Sequence, residues 1–185
     1  MLIALLVIGG IGLLLIIMGI NYYNRFIRLK NKVEDSWSGI DVQLKRRYDL
    51  IPNLLETVKG YAKHEKEIFD NVADARARAL NAGGKGEKIA AENQLTGALR
   101  SVFALAENYP DLKANSNFLK FQQQLTGIED EIQMSRRYYN ATVREFNTGI
   151  AVFPANIIAG AFNFTPYQFF ELDDHSQREA PSVKF

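Results

Sequence analysis

Residues 118–146, FLKFQQQLTGIEDEIQMSRRYYNATVREF, place Phe118, Phe121, Leu125, Ile128, Ile132, Ser135, Tyr139, Thr142 and Phe146 at alternating steps of three and four. That spacing returns each side chain to one side of a helix, so the stretch predicts a long helix packed along a single seam for four heptads. A helix cannot bury its own seam, so partner helices are required.

Upstream, Val33, Trp37, Ile40, Leu44, Tyr48 and Ile51 repeat the pattern. Pro52 removes a backbone donor and disfavours helical geometry at Ile51, so a kink or break is expected near Leu50 to Pro52, with a new helix from Asn53. Leu54, Leu55, Val58, Tyr61, Ala62, Ile68, Phe69, Val72, Ala75 and Ala79 continue the period, weakened in the middle by Gly60. NAGGKG at residues 81–86 predicts a surface loop, and Gly84, Lys85 and Gly86 lack the spacing of a phosphate-binding loop. A third helix is expected from about Glu87 to Asn108, with Leu95, Leu99, Val102, Phe103 and Ala106 inward and Pro110 beyond its end. No strand alternation of comparable length occurs. The expected body is all-α, an antiparallel bundle of three or four helices.

Residues 1–20, MLIALLVIGGIGLLLIIMGI, hold no charged side chain and lead into Arg25, Arg28, Lys30 and Lys32. At about 1.5 Å per residue, a helix over 2–20 spans roughly 28 Å, close to the hydrocarbon thickness of a bilayer. A cleaved secretory signal fits poorly, because the basic start, shorter apolar core and small-residue cleavage site it needs are missing. The chain has no cysteine, which excludes a lipidated cysteine and any disulfide framework. The expectation is a single transmembrane helix with Leu2, Leu6, Leu13 and Ile17 among its lipid contacts, continuing into the first helix of the bundle. Basic residues follow the span, which predicts an N-terminus outside and a cytoplasmic body.

The organisation read this way is a transmembrane anchor at 1–22, a helical bundle at 23–147, an aromatic-rich segment at 148–172 and a polar extended tail at 173–185. The aromatic segment holds Phe153, Phe162, Phe164, Tyr167, Phe169 and Phe170. Either these cap the open end of the bundle, or they form a contact surface for lipid or another subunit. Arg46 and Arg47 in a cluster of alternating sign with Asp41, Lys45 and Asp49, and Arg136 and Arg137 beside Tyr138, Tyr139 and Asn140, admit two readings. One is a solvated face or interhelical ion pairing; the other, shared with Arg25, Arg28, Lys30 and Lys32, is contact with lipid headgroups or a neighbouring subunit. Val183 and Phe185 could pack back onto the bundle or enter a partner's groove.

The 22 basic and 21 acidic residues leave a net charge of +1, which gives no reason to expect a nucleic-acid partner. Catalytic and metal constellations are not found: His64 and His175 stand apart, and no nucleophile elbow or dinucleotide fingerprint is present. A paired-carboxylate enzyme would need inward acids; Glu56, Glu129 and Glu145 lie only beside the apolar stripes. No cofactor and no metal site are expected.

The runs YNRFIRLKNKVEDSW (23–37), IDVQLKRRYDLIPNLLETVKGYAKHE (40–65), RRYYNATVREFN (136–147), FPANIIAGAFNFTPYQFFE (153–171) and REAPSVKF (178–185) resemble the LemA family, in order and over nearly the whole chain beyond the anchor. The resemblance implies a bacterial membrane-anchored protein with a four-helix-bundle-like domain, and it brings no catalytic residues. Some members carry a lipoprotein-type cysteine near the start; here Gly19, Ile20 and Asn21 precede Tyr22, so the helix itself is the anchor. The functional expectation is a structural scaffold or adaptor in the inner membrane that contacts lipid and associates with itself. The alternative is an accessory of a membrane protease or sensor, which would be a membrane-protein partner.

Overall fold

A computed structural model describes residues 1–171; the tail with Val183 and Phe185 lies outside the described residues. Six helices and no strand occur among them: α1 (Leu2–Lys59), α2 (Lys66–Asn81), α3 (Lys85–Ala106), α4 (Pro110–Lys113), α5 (Ser116–Ala151) and α6 (Ala155–Ala161). The all-α reading therefore holds. The chain divides into two compact units, to both of which α1 and α5 contribute.

One unit comprises Met1–Asp41 and Met134–Phe169. Its two long helices run antiparallel, because partners descend along α5 as they ascend along α1. Leu29 lies beside Gly149, Lys32 pairs with Glu145, Ser36 bonds Thr142 and Trp37 meets Tyr139 edge to face. Phe26, Val33, Trp37, Tyr139, Val143 and Phe146 are buried along the seam. Thr142 and Ser36 hydrogen-bond each other at 2.9 Å, so two polar seam positions satisfy one another.

The other unit comprises Val42–Gln133 with Phe170 and Glu171 among the described residues. Four helical stretches enclose its core: Leu44, Ile51, Leu54 and Val58 of α1; Phe69, Val72 and Ala79 of α2; Leu95 and Val102 of α3; Phe118, Leu125, Ile128 and Ile132 of α5. Asn115 starts α5 by accepting the amides of Asn117 and Phe118 at 2.9 and 3.0 Å, a side-chain cap on otherwise unpartnered donors. Glu87 reaches back from the first turn of α3 to the Gly83 amide at 2.9 Å.

The expected break at Pro52 is not there. Pro52 sits inside α1, and the helix ends instead at Lys59, ahead of Gly60. A proline at this place leaves the carbonyl four residues earlier without its helical donor. That carbonyl belongs to Tyr48, and Arg76 Nε of α2 donates to it at 2.9 Å. Tertiary packing thus supplies from a neighbouring helix the bond that sequence alone shows as missing. Leu54, Leu55 and Val58, all buried just after the proline, give the helix further reason to continue.

This arrangement makes a coupling prediction. Arg76→Met should destabilise the fold by about 1–2 kcal/mol, the cost of a buried carbonyl left without a donor. In a Pro52→Ala background the alanine amide fills the same carbonyl, and the cost of Arg76→Met should fall below half; urea denaturation of the four variants measures the difference.

Candidate functional site

In the unit formed by Met1–Asp41 and Met134–Phe169, the apolar run of α1 has no protein cover. Leu2, Leu6, Leu13 and Ile17 are exposed, as are nearly all the large apolar side chains between them. Among the described residues α1 alone is long and apolar enough to cross a membrane, judged by length and composition. The uncovered surface ends where α6 docks. Phe26, fully buried, packs with Ala155 and Ala159, and Tyr22, Ile150, Ile158 and Phe164 close around them. The small side chains at 155 and 159 let the α6 backbone approach α1. Gly19 does the same from the other side: a Cβ there would lie 3.6 Å from Ile158 Cδ1.

The chain is turned at the end of α6 by local chemistry. Asn163 adopts φ of 56°, and the Phe164 and Asn163 amides donate back to the Ala159 and Gly160 carbonyls at 2.9 and 3.2 Å. That pair of bonds with one left-handed residue is the Schellman stop, and asparagine tolerates the position better than most non-glycine residues. The turn delivers Phe164 into an aromatic cluster, with ring centroids 5.2 Å from Phe26, 6.0 Å from Tyr23 and 6.3 Å from Phe146. Phe162 covers Tyr23 at 4.7 Å, and Tyr167 meets Phe146 edge to face at 5.2 Å.

Four hydrogen bonds fix the returning segment. Asn147 holds the backbone of Tyr167 at both ends, donating to its carbonyl and accepting its amide, each at 2.9 Å. Tyr167 donates its hydroxyl to Glu34 at 2.7 Å, and Tyr139 donates to the Gln168 carbonyl at 3.0 Å. Burial raises the Tyr139 phenol to about 12, with the nearby Glu34 charge adding to the effect. Tyr167 is raised also, by burial first and then by its bond to Glu34. Lys32 is raised by its hydrogen bond to Glu145 and by the charge of that carboxylate.

The aromatic set expected to act as one contact surface is therefore split. Phe153 and Phe162 point outward, Phe169 lies at the margin, Phe164 and Tyr167 are half-buried, and Phe170 is buried. The basic set is split too. Arg25, Arg28, Lys30, Arg46 and Arg137 are exposed, Lys32 is exposed and ion-paired, and Arg46 donates to Gln43. Arg47 and Arg136 are 1% and 3% exposed, so the expected headgroup contact does not hold for either.

The destination of Arg47 is the core of the second unit, where its guanidinium bonds Glu92 and reaches Glu129 Oε2 at 2.9 Å and Thr96 at 3.2 Å. Tyr48 also donates to Glu92, which is fully buried. Two donors, from Arg47 and Tyr48, close on the Glu92 carboxylate here, so the buried acid faces a guanidinium and a hydroxyl at once. Beside this cluster lies a groove of about 290 Å³ between α3 and α5, lined also by Leu99, Arg100, Phe103 and Asp130. Glu92 was missed by sequence reading, although it falls in step with Leu95, Leu99 and Val102, the same seam spacing that marks the apolar core. Arg47 lies in step with Leu44, Ile51 and Leu54, and Arg136 with Ile132, Tyr139 and Val143.

Comparison with known families matches residues 36–185 to the LemA family. Among curated proteins the chain is 29% identical to Protein LemA of Metamycoplasma hominis, covering 81% of this chain and 70% of that protein. It is 25% identical to magnetosome protein MamQ 2 of Paramagnetospirillum magneticum and 24% identical to magnetosome protein MamQ of Magnetospirillum gryphiswaldense. In both cases the match covers 80% of this chain and 64% of the relative, so the chain spans less than two thirds of the length of those proteins.

Tyr139 gives a pH test. Because the fold favours its neutral phenol, the stability this contributes is complete below the unfolded-state pKa near 10 and is lost as pH rises through about 12. Tyr139→Phe should cost about 1 kcal/mol at neutral pH through the lost bond to Gln168. Its disadvantage against the parent should shrink and then reverse between pH 10 and 12 in thermal melts followed by circular dichroism. A difference that stays constant across that range would contradict the assignment.

Proposed function

This chain belongs to the LemA family, and we propose that it is a membrane-anchored helical scaffold that associates with itself at the membrane face. In this reading residues 2–20 cross the inner membrane of a bacterial cell, with the N-terminus outside and the helical body in the cytoplasm. The observation that carries it is the junction within the first unit. There α1 passes without a helical break from a stretch uncovered on every side to a stretch with a buried stripe, and Tyr22, Tyr23 and Phe26 mark the change. Tyrosine at such a boundary suits a ring half in lipid and a hydroxyl in water.

Self-association is supported by α5, which leaves Met134 and Tyr138 exposed one helical turn apart on one face. A rigid helical face with an apolar ridge suits packing against a copy of itself. The names of the MamQ relatives give a cellular structure, the magnetosome, and no reaction, which accords with a structural role.

Light scattering on the full chain in detergent or nanodiscs should find assemblies larger than a monomer. Met134→Glu combined with Tyr138→Glu should weaken them by about tenfold or more, as expected from the loss of roughly 1.4 kcal/mol of contact. Monomers alone at every concentration would overturn self-association.

A further inference from the structure

We propose that α6 and the turn leading into it form a second membrane contact, an interfacial insert that lies in the headgroup and upper acyl region of the leaflet next to Tyr22. The proposal rests on residues 2–20 being the membrane span. Three observations within the first unit carry it.

The first is depth. Ile158 of α6 lies against the α1 surface at Gly19, and the Phe162 ring packs at a tilt against Tyr23. Gly19 is the penultimate residue of the apolar run, so α6 is pinned at the edge of the hydrocarbon and cannot lie in bulk water while residues 2–20 lie in lipid. The second is chemistry. Val152, Phe153, Ile157 and Phe162 are exposed by 49, 80, 61 and 57%, and residues 146–170 carry no charged side chain. The third is the charge boundary. Arg25 and Arg28 follow one to two turns beyond Tyr22 on α1, both exposed, where anionic phosphates would meet them. Lipid is thus the occupant that the position selects: the apolar side of α6 is continuous with the uncovered apolar surface of α1.

The inner face of α6 is already used, since Ala155 and Ala159 are buried against Phe26. Its outer side chains are therefore free to enter lipid without loosening the unit. Asn156 and Asn163, both exposed, set polar groups beside Ile157 and Phe162 that suit the headgroup layer.

The absence of native cysteine allows single labels on the full chain. Phe153→Cys, Ile157→Cys, Leu13→Cys and Ser38→Cys variants, each carrying an environment-sensitive fluorophore, are reconstituted in vesicles of zwitterionic and anionic phospholipid. Lipids bearing a nitroxide at a shallow or a deep acyl position are then added. The label at 13 should be quenched most by the deep nitroxide, and the label at 38, about 27 Å along α1 beyond Ile20, by neither. Labels at 153 and 157 should be quenched at least twofold more by the shallow than by the deep nitroxide.

Quenching at 13 with none at 153 and 157 would overturn the insert while leaving the anchor intact. Absence of quenching at 13 would overturn the anchor and the insert together. Labels at 153 and 157 that quench one another between protomers, yet ignore both lipid quenchers, would assign the surface to a second copy and overturn the proposal. Circular dichroism of each labelled variant identifies any that fail to fold, and Val152→Cys and Phe162→Cys are the replacements for such a variant.

Discussion

A helix that carries an apolar surface out of a bilayer must transfer that surface from lipid to protein within a turn or two, because water lies on the far side of the boundary. Here the transfer takes place between Gly19 and Leu29. Ile20 is exposed, Tyr23 packs at a tilt against Phe162, and Phe26 and Leu29 are buried by α6 and α5. The rest of the first unit depends on this. The Schellman turn at Asn163, the Asn147 clamp on Tyr167 and the aromatic cluster around Phe164 all hold cover over the first apolar residues that leave the span. A chain without that cover would present a hydrophobic helix end to water.

The second unit solves a different problem. Arg47 and Glu92 occupy seam positions, where a charge is costly unless it is paired and fully bonded. Glu92 accepts from both Arg47 and Tyr48, and Glu129 takes a further guanidinium donor. Apolar residues of similar volume would give comparable stability, so the cluster adds less to stability than to choice of register. Only one alignment of α1, α3 and α5 brings these partners together. Arg76 contributes in a similar way by meeting the carbonyl that Pro52 leaves open.

Much of this was legible in the residues. The steps of three and four from Phe118 to Phe146 located α5, and the same spacing from Val33 to Ile51 located the packed part of α1. Of the α5 stripe, only Phe121 and Ser135 are less than fully buried. What failed did so for identifiable reasons. Pro52 predicts a break from local chemistry alone, and a donor from another helix is invisible in the local sequence. For Arg47 the reading as an interhelical ion pair holds and the headgroup reading does not, and for Arg136 burial removes the headgroup reading; in both cases the seam spacing marked the residue as inward. The aromatic segment could not be divided into covering and exposed members from composition, since that division follows from the turn at Asn163 and the docking of α6.

The central claim, that span and stalk are one helix with no water-exposed joint, is open to one direct measurement. A nitroxide placed singly at each position from 14 to 37 of the membrane-reconstituted chain would report access to oxygen, which concentrates in lipid, and to a water-soluble nickel complex. The account predicts lipid access on all sides through Met18, before Ile158 of α6 meets Gly19. From Tyr22 onward it predicts a helical period of about 3.6 residues, with Phe26, Leu29, Val33 and Trp37 at its minima. A run of four or more consecutive positions between 20 and 30 with uniformly high nickel access would contradict it, since that pattern marks an unwound, solvated linker between anchor and body.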